Sequence, residues 1–482
     1  MKYPMNVKIN IRPVFSNMVH TDAWEGPCRV GTAEELQPSY EIRSGREQFK
    51  LWVADIKENL KGNCNLMPAL YVEYDESFAV KDSEMDKLRE NITETDVFLI
   101  SYRIPGIESL GVPVTMINRG PTPIDLVGFY RANGLEAYFA HDFEEYNDLI
   151  HLLWVRKAIA NTKILILSSA NEFPVSVNTS NPDAFGLFTK YGIRNMRVPF
   201  REVFDVMAQM NCQAEADQMA ETLIAEAVAN YDRAEWIAQD IKYYLAVREM
   251  MERFDCNAFT TPCKELCASR LPAKNKCTPC LTHSLLKDQG LPSACEEDMN
   301  VWMAIMVLMY LGNRSVHMGN PMLILKGQNL KADIGMSRIV YGPEVFQEEV
   351  LEIRHSVPGI KMQGFDQPAM PYELGSFTHE GWGTKIQVNM GKNTITREVT
   401  IGRFDRSGTK MLVVRGEIVG CAFKEDECSP AVYLRIDGGV REFRHVLADG
   451  GFGHHLAMIY GDFTRAVKAL GKIMNFEVIV QQ

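Results

Sequence analysis

Three short segments carry side chains able to hold a cation. The first is Cys295-Glu296-Glu297-Asp298, three acids placed directly before an apolar run. Acids in a first helical turn gain about 0.3–1 kcal/mol each from the helix dipole, and that alone accounts for many such triplets. A carboxylate cluster at a domain junction also fits a divalent metal. The second segment is Val316-His317-Met318-Gly319-Asn320-Pro321. It reads as the loop after that helix, and Asn-Pro is a common turn opener. The third is Gly453-His454-His455, a histidine pair after a Gly-rich turn. An acid, an amide or second acid, and a histidine make a ligand set for Mn²⁺ or a similar divalent cation.

Other segments offer weaker chemistry. No GxxxxGK[ST] and no HExxH occurs, and Gly450-Gly451-Phe452-Gly453 does not open a dinucleotide-binding βαβ unit, so nucleotide cofactors are unsupported. His20 to Arg29 packs Trp24, two acids and Arg29 around a Gly-Pro turn. It is either a surface loop or a stacking surface with polar groups for a sugar, and Arg29 would suit an anionic substituent. Tyr372, His379, Glu380 and Trp382 share one Gly-containing stretch and are read as packing residues or as pocket lining. Five of the eleven cysteines fall between Cys256 and Cys280. Cys277-x-x-Cys280 below Cys263-x₃-Cys267 is compatible with structural zinc, but the spacing is not that of a standard ribbon. An odd count in a long chain favours reduced, mostly buried thiols.

Taken in order, the three ligand segments resemble those of the L-fucose/L-arabinose isomerase superfamily, in its bacterial L-fucose isomerase-like branch. Ala294-Cys295-Glu296-Glu297-Asp298 matches that branch's acidic motif. Asn320, 24 residues after Glu296, falls at a metal-binding position, and His455 with Gly461 six residues later matches the C-terminal motif. Trp382-Gly383, Thr400 to Arg403 and Met411 to Val413 are also similar. The resemblance covers most of the chain after residue 160. It implies aldose–ketose isomerisation through an enediol, on a sugar or modified sugar, in a homohexamer with sites formed between subunits. It assigns Glu296 as metal ligand and proton-transfer base, and His455 and Asn320 as further ligands of Mn²⁺ (Mg²⁺ or Co²⁺ being the alternatives).

The chemistry agrees with that assignment. Moving a hydrogen between two adjacent carbons needs a base, an acid for the neighbouring oxygen, and a Lewis acid for the developing charge. Asn320 departs from the family's aspartate, and an amide cannot exchange a proton at neutral pH. Asp298 is then the candidate for the second acid/base, with His317 and His355 behind it. Trp24, Arg29, His355, Trp382 and His454 are the candidates for substrate contact. Asn320 is also the main support for an alternative, a non-catalytic sugar-binding protein or a metal-dependent epimerase or lyase on the same scaffold.

The elements that must position these residues read as an α/β fold. Val97 to Ser101, Val112 to Ile117 and Thr162 to Leu167 are buried-strand runs. Asp142 to Asn161, Gln213 to Phe254 (broken near Asn230) and Ala294 to Leu311 read as helices. After about residue 320 Pro, Gly and strand-like runs dominate. Ile386 to Ile401 reads as a hairpin around Gly391-Lys392-Asn393, followed by strands at Lys410 and Ala431, a helix Asp462 to Met474 and a last strand at Phe476. The expectation is two Rossmann-like α/β domains, 1–160 and 161–320, then a β-rich, barrel-like domain, 321–482. The net charge of −11 argues against a general nucleic-acid or anionic-membrane binder. The longest uncharged apolar run, Val301 to Gly312, is far short of the ~20 residues of a membrane span. With no apolar core behind Lys2 and Lys8, the N-terminus does not read as a secretory signal, and a cytoplasmic location is expected.

Overall fold

The computed structural model describes residues 3–27, 29–169, 174, 176–425 and 427–482, which leaves Cys28 of the Trp24–Arg29 segment outside. The chain forms two compact units. One is Val7–Lys157; the other is Ala158–Gln482 together with Met1–Asn6. The architecture is mixed α/β with parallel sheets and a closed β-barrel.

In the Val7–Lys157 unit, Ile9–Met18 lies inside a parallel sheet. On one side it pairs first with Cys64–Leu66 and then with Leu70–Tyr74; on the other it pairs with Val97–Ile100. Val114–Ile117 and Ala137–Ala140 extend that second side. Pro13 interrupts the central strand without harm. It falls in the gap between the two short partners, where no ladder needs its missing N–H. Val14, Phe98, Ile100, Val114 and Met116 form the core with Leu126 and Tyr130 of the helix Thr122–Ala132.

The larger unit has a four-stranded parallel sheet in the order Ser293–Cys295, Ala258–Thr261, Lys163–Ser168, Arg194–Pro199. Its barrel has six strands: Lys410–Phe423, Glu398–Phe404, Leu456–Tyr460, His317–Ile324, Val350–Arg354 and Ala431–Ile436. Pairing of the last with the first closes it. Alternate residues, among them Leu351, Ile353, Val399, Ile401, Leu412, Val414, Val432, Leu434, Leu456 and Met458, are buried and fill it as one layer of the core. The helix Met299–Gly312 packs against the barrel strands Glu398–Phe404 and Leu456–Tyr460 and against Ser293–Cys295. Every residue from Met299 to Leu311 is buried, as the absence of any charge in that run requires. No helix among the described residues is long and apolar enough to cross a membrane.

Three expectations change. The acidic run does not open the helix at Ala294. Ser293–Cys295 is a strand, and the helix starts at Met299 behind Asp298, whose side chain accepts from Asn300 N and Val301 N. His317 to Pro321 is not a turn but the start of a barrel strand. Pro321 is tolerated because pairing with Leu456–Tyr460 ends at Gly319, so no partner awaits its N–H. Ile386 to Ile401 is not a hairpin. Thr384–Val388 pairs with Tyr372–Ser376, while Glu398–Phe404 belongs to the barrel. Burying Val399 and Ile401 inside the barrel outweighs the local turn signal.

Candidate metal centre

The three acids lie just past the carboxyl end of the strand Ser293–Cys295, where open parallel sheets present their ligands. Glu296 and Glu297 both adopt left-handed backbone, φ 62° and 52°. The chain thereby turns out of the sheet and into the helix within three residues. His455 is left-handed too, φ 67°, directly before the barrel strand Leu456–Tyr460. His355 directly follows the strand Val350–Arg354. Non-glycine residues held in this conformation cost on the order of 1–3 kcal/mol each and concentrate at functional sites.

These three chain ends meet. Glu296 Oε1 is 3.7 Å from His355 Nε2 and 3.8 Å from His455 Nε2. One donor atom from each residue lies within 4.8 Å of the others, and all three residues are buried. Glu296 Oε2, both nitrogens of His355 and Nε2 of His455 are buried without a hydrogen-bond partner. Buried polar atoms are rarely left so. Two ligands each about 2.1 Å from one ion sit roughly 3–3.5 Å apart, so the two Glu296–histidine separations are a few tenths of an ångström longer than a bound cation would set them. The group can hold a metal ion, and among the described residues it is the one group of three acids, histidines or cysteines so placed.

Asp298 orients this group. Its Oδ2 accepts from His455 Nδ1 at 2.9 Å and from Arg403 Nη1 at 2.7 Å. With Nδ1–H so engaged, His455 presents the Nε2 lone pair toward Glu296, the carboxylate–histidine arrangement found behind metal ligands. Arg403 is fully buried. It also donates to the carbonyls of His455 (2.9 Å) and Phe452 and to Thr179 Oγ1 (3.1 Å). Gly453 makes that approach possible, since a Cβ there would lie 2.1 Å from Thr179 Oγ1. On the His355 side, buried Lys287 donates to the Val357 carbonyl, and Asp288 accepts from Ile360 N and Lys361 N at 2.9 Å each. Gly319 matters for the same segment. A Cβ there would meet Arg354 N at 2.7 Å, one residue before His355.

The electrostatics keep the donors ready to bind a cation. Burial alone would raise the Glu296 carboxyl, but His355, His455 and Lys264 outweigh it and hold it at about 2. Asp298 is held well below the usual carboxylate range because Arg403 and His455 outweigh its burial. Burial lowers His355 and brings His454 down to about 4, with His455 adding to both shifts. An ionised Glu296 beside an imidazole at His355 whose protonation is disfavoured is the state a metal needs.

The remaining candidates fall as follows. His454 lies tilted against His455 with ring centroids 4.3 Å apart, and His355 meets His455 edge-on at 5.5 Å. His355, expected at the substrate, is therefore the third member of the donor group. Asn320 stands opposite Arg354 in the barrel, in the alternation shared by Met322 and Glu352, whereas His317 and Gly319 take the other face. His317 is buried with both ring nitrogens unpartnered. Asp298 is engaged at both oxygens, which makes it a positioning residue. Glu297 is turned away, paired with Arg197 at 2.6 Å. Trp382 donates to Glu380 (3.1 Å) under Lys276, and Tyr372 donates to the Leu223 carbonyl (2.7 Å). Trp24 and Arg29 belong to the Val7–Lys157 unit. There Arg29 is paired with Glu41 and the Leu36 carbonyl (2.9 Å) beside a half-exposed Trp24. Sequence reasoning missed Arg403 and Lys287. The signal for Arg403 was a lone cation inside the apolar strand Glu398–Phe404; nothing marked Lys287.

All ten described cysteines are free thiols, and none belongs to a group of three metal donors. No protein-family model matches the chain, and no curated protein matches it.

Proposed function

We propose that the protein is a divalent-metal-dependent aldose–ketose isomerase acting on a sugar or modified sugar. The observation that carries this reading is the buried Glu296, His355 and His455 group with Asp298 behind His455. The resemblance of the Ala294–Asp298 and His455–Gly461 motifs to the L-fucose isomerase-like branch supplies the reaction class. Mn²⁺ is the metal we favour. When bound, it would supply Lewis-acid polarisation of two neighbouring sugar oxygens.

The chain's own residues divide the remaining work. Glu296 Oε1 faces the imidazoles, while buried Oε2 has no hydrogen-bond partner and lies 3.7 Å from Lys264 Nζ. Oε2 is the oxygen placed to take the proton from one carbon and return it to the next. Asp298 and Arg403 fix His455, and Lys287 and Asp288 fix the segment after His355. Asn320 exchanges no proton, so the second proton transfer falls to another group or to water.

The test is proton NMR of a panel of aldoses and ketoses in D₂O with chelator-stripped protein, with and without Mn²⁺. Interconversion that requires the metal is expected, and it should vanish in Glu296→Gln while the variant stays folded by circular dichroism. Conversion at the same rate in the stripped protein, or in Glu296→Gln, would refute the reading.

A further inference from the structure

The helix Thr464–Met474 begins at a cavity that the metal centre does not share. Its buried residues are Val467, Leu470 and Gly471, while Arg465 and Lys468, three apart and therefore neighbours on the helix surface, are exposed. Both line a cavity of about 640 Å³, within the size range of small-molecule sites. Glu296, His355 and His455 are not in its wall.

The charges there are arranged against the helix. A helix start favours anions, yet this first turn holds Arg465 and no acid. Asp462, just before the helix, accepts from Thr464 N at 2.8 Å. It also lies 3.6 Å from Arg415, which donates to Asp437 at 3.0 Å. Arg415 thus answers both carboxylates of the wall. Arg465 and Lys468 have no acid partner among the described residues. Val467 N donates to the Phe463 carbonyl at 2.8 Å, which leaves the amides of Arg465 and Ala466 open.

The facing wall carries an independent signal. The strand Glu477–Gln481 packs beside this helix, and Gln481 pairs in register with Val414, the neighbour of Arg415. Gln481 is nine-tenths buried. Its Nε2 donates to the carbonyls of Asp437 (3.2 Å) and Gly439 (3.3 Å), so its Oε1 is fixed as the acceptor end. That oxygen is buried in the cavity wall without a hydrogen-bond partner. Buried polar atoms are rarely left so. The cavity therefore offers cations and open amides on one side and an acceptor in need of a donor on the other.

The geometry points to a binding site for the phosphate ester of a small polyol. Arg465, Lys468 and the open amides of the first turn hold the phosphate, and a ligand hydroxyl donates to Gln481 Oε1. A phosphate group, with close to two charges and three acceptor oxygens, matches two cations and two N–H groups better than a carboxylate does. The site is separate from the metal centre and stands whether or not the isomerase reading does.

The test is calorimetric titration of the full-length protein with glycerol 3-phosphate, inorganic phosphate and glycerol, at low ionic strength where exposed charges are least screened. The expected result is saturable binding of glycerol 3-phosphate, at least about tenfold tighter than inorganic phosphate, with no binding of glycerol. Added EDTA should leave it unchanged, which separates this site from the metal centre. Arg465→Gln and Lys468→Gln should each weaken the ester about tenfold. Lys472→Gln removes an equal charge from the last turn of the same helix and should change affinity less than about twofold. Gln481→Met should bring the ester down to the affinity of inorganic phosphate, with thermal melting as the check on folding. Where that variant melts early, the ester-to-phosphate ratio of the parent decides the hydroxyl contact. No saturable binding, an equal loss in Lys472→Gln, or an ester bound no tighter than inorganic phosphate would overturn the proposal.

Discussion

Replacing Asp298 with Asn separates the two things this carboxylate does. Asp298 is fully buried. One oxygen caps the helix Met299–Gly312 through Asn300 N and Val301 N, both at 3.2 Å. The other is shared by Arg403 and His455. An amide oxygen can still cap, so the ~1 kcal/mol of the cap is retained. The amide nitrogen, however, would face two donors, and Arg403 would stay buried without a counter-charge. Breaking a buried ion pair from one side costs about 3–5 kcal/mol, and that is the expected loss in urea unfolding. His455 also loses the acceptor that fixes its ring, which predicts about 10–100-fold weaker Mn²⁺ binding by calorimetry. Arg403→Met should cost about as much stability, for the mirror-image reason. It leaves the Asp298–His455 bond in place, so its Mn²⁺ affinity should fall less than tenfold. The double variant should be less destabilised than the sum of the two, because no uncompensated charge remains. Strictly additive losses, or equal damage to Mn²⁺ binding by both single variants, would refute this account of Asp298.

Two further variants decide the third ligand. His355→Ala should weaken Mn²⁺ binding at least 100-fold while Asn320→Ala changes it only a few-fold, measured by the same titration; the reverse order would restore the assignment that the resemblance implies. Gly319→Ala should impair Mn²⁺ binding without touching a donor, because its Cβ would push Arg354, and with it His355, out of place; unchanged affinity would show that the segment relaxes freely. Lys287, buried and brought down to about 7 by that burial, gives a pH signature. Between pH 7 and 10 the unfolded state binds more protons than the folded one, so stability rises with pH, by up to about 1.4 kcal/mol per pH unit. Lys287→Met lacks that rise, so any advantage it holds over the parent near pH 7 should shrink by pH 9; a difference independent of pH would place Lys287 in a hydrated setting.

The helices and strands that repeat cleanly were legible. Val97–Ile100, Phe143–Ala160, Lys163–Ser168, Ala431–Ile436 and Thr464–Met474 lie within two residues of where periodicity places them. What misled was local signal opposed by long-range pairing. Asn320-Pro321 carries a turn signature, yet the barrel closes around it; the turn at Gly391 joins two sheets rather than two strands of one. At the site, Glu296 and His455 were visible because acids and histidines stand out against apolar neighbours. His355 was harder. It is one residue past a strand whose register with His317–Ile324 appears only once the barrel is formed, and the family resemblance implied Asn320 instead. Arg403 and Lys287 were hidden because a cation in an apolar run usually signals an exposed edge, whereas here each meets buried oxygens.

The left-handed residues explain why the donors sit where they do. Only three residues link the strand Ser293–Cys295 to the helix Met299–Gly312. A glycine at either of the first two positions would make the turn at no steric cost, whereas an L-residue there costs roughly 1–2 kcal/mol. Glycine would also remove a side chain the site uses. At 296 that is the carboxylate of the donor group; at 297 it is the carboxylate that takes Arg197 at 2.6 Å and is itself only 1 % exposed. At 455 the same trade recurs, since the left-handed backbone carries the imidazole that Asp298 holds. The strain is set against the contacts these side chains make, Glu297 with Arg197, His455 with Asp298 and Glu296 beside both imidazoles. The burial of the charge-free helix, which anchors one end of that turn, keeps it from relaxing. A chain built only for stability would put glycine in at least one of these positions. That it carries two acids and a histidine there is the physical argument that this corner of the fold is a site.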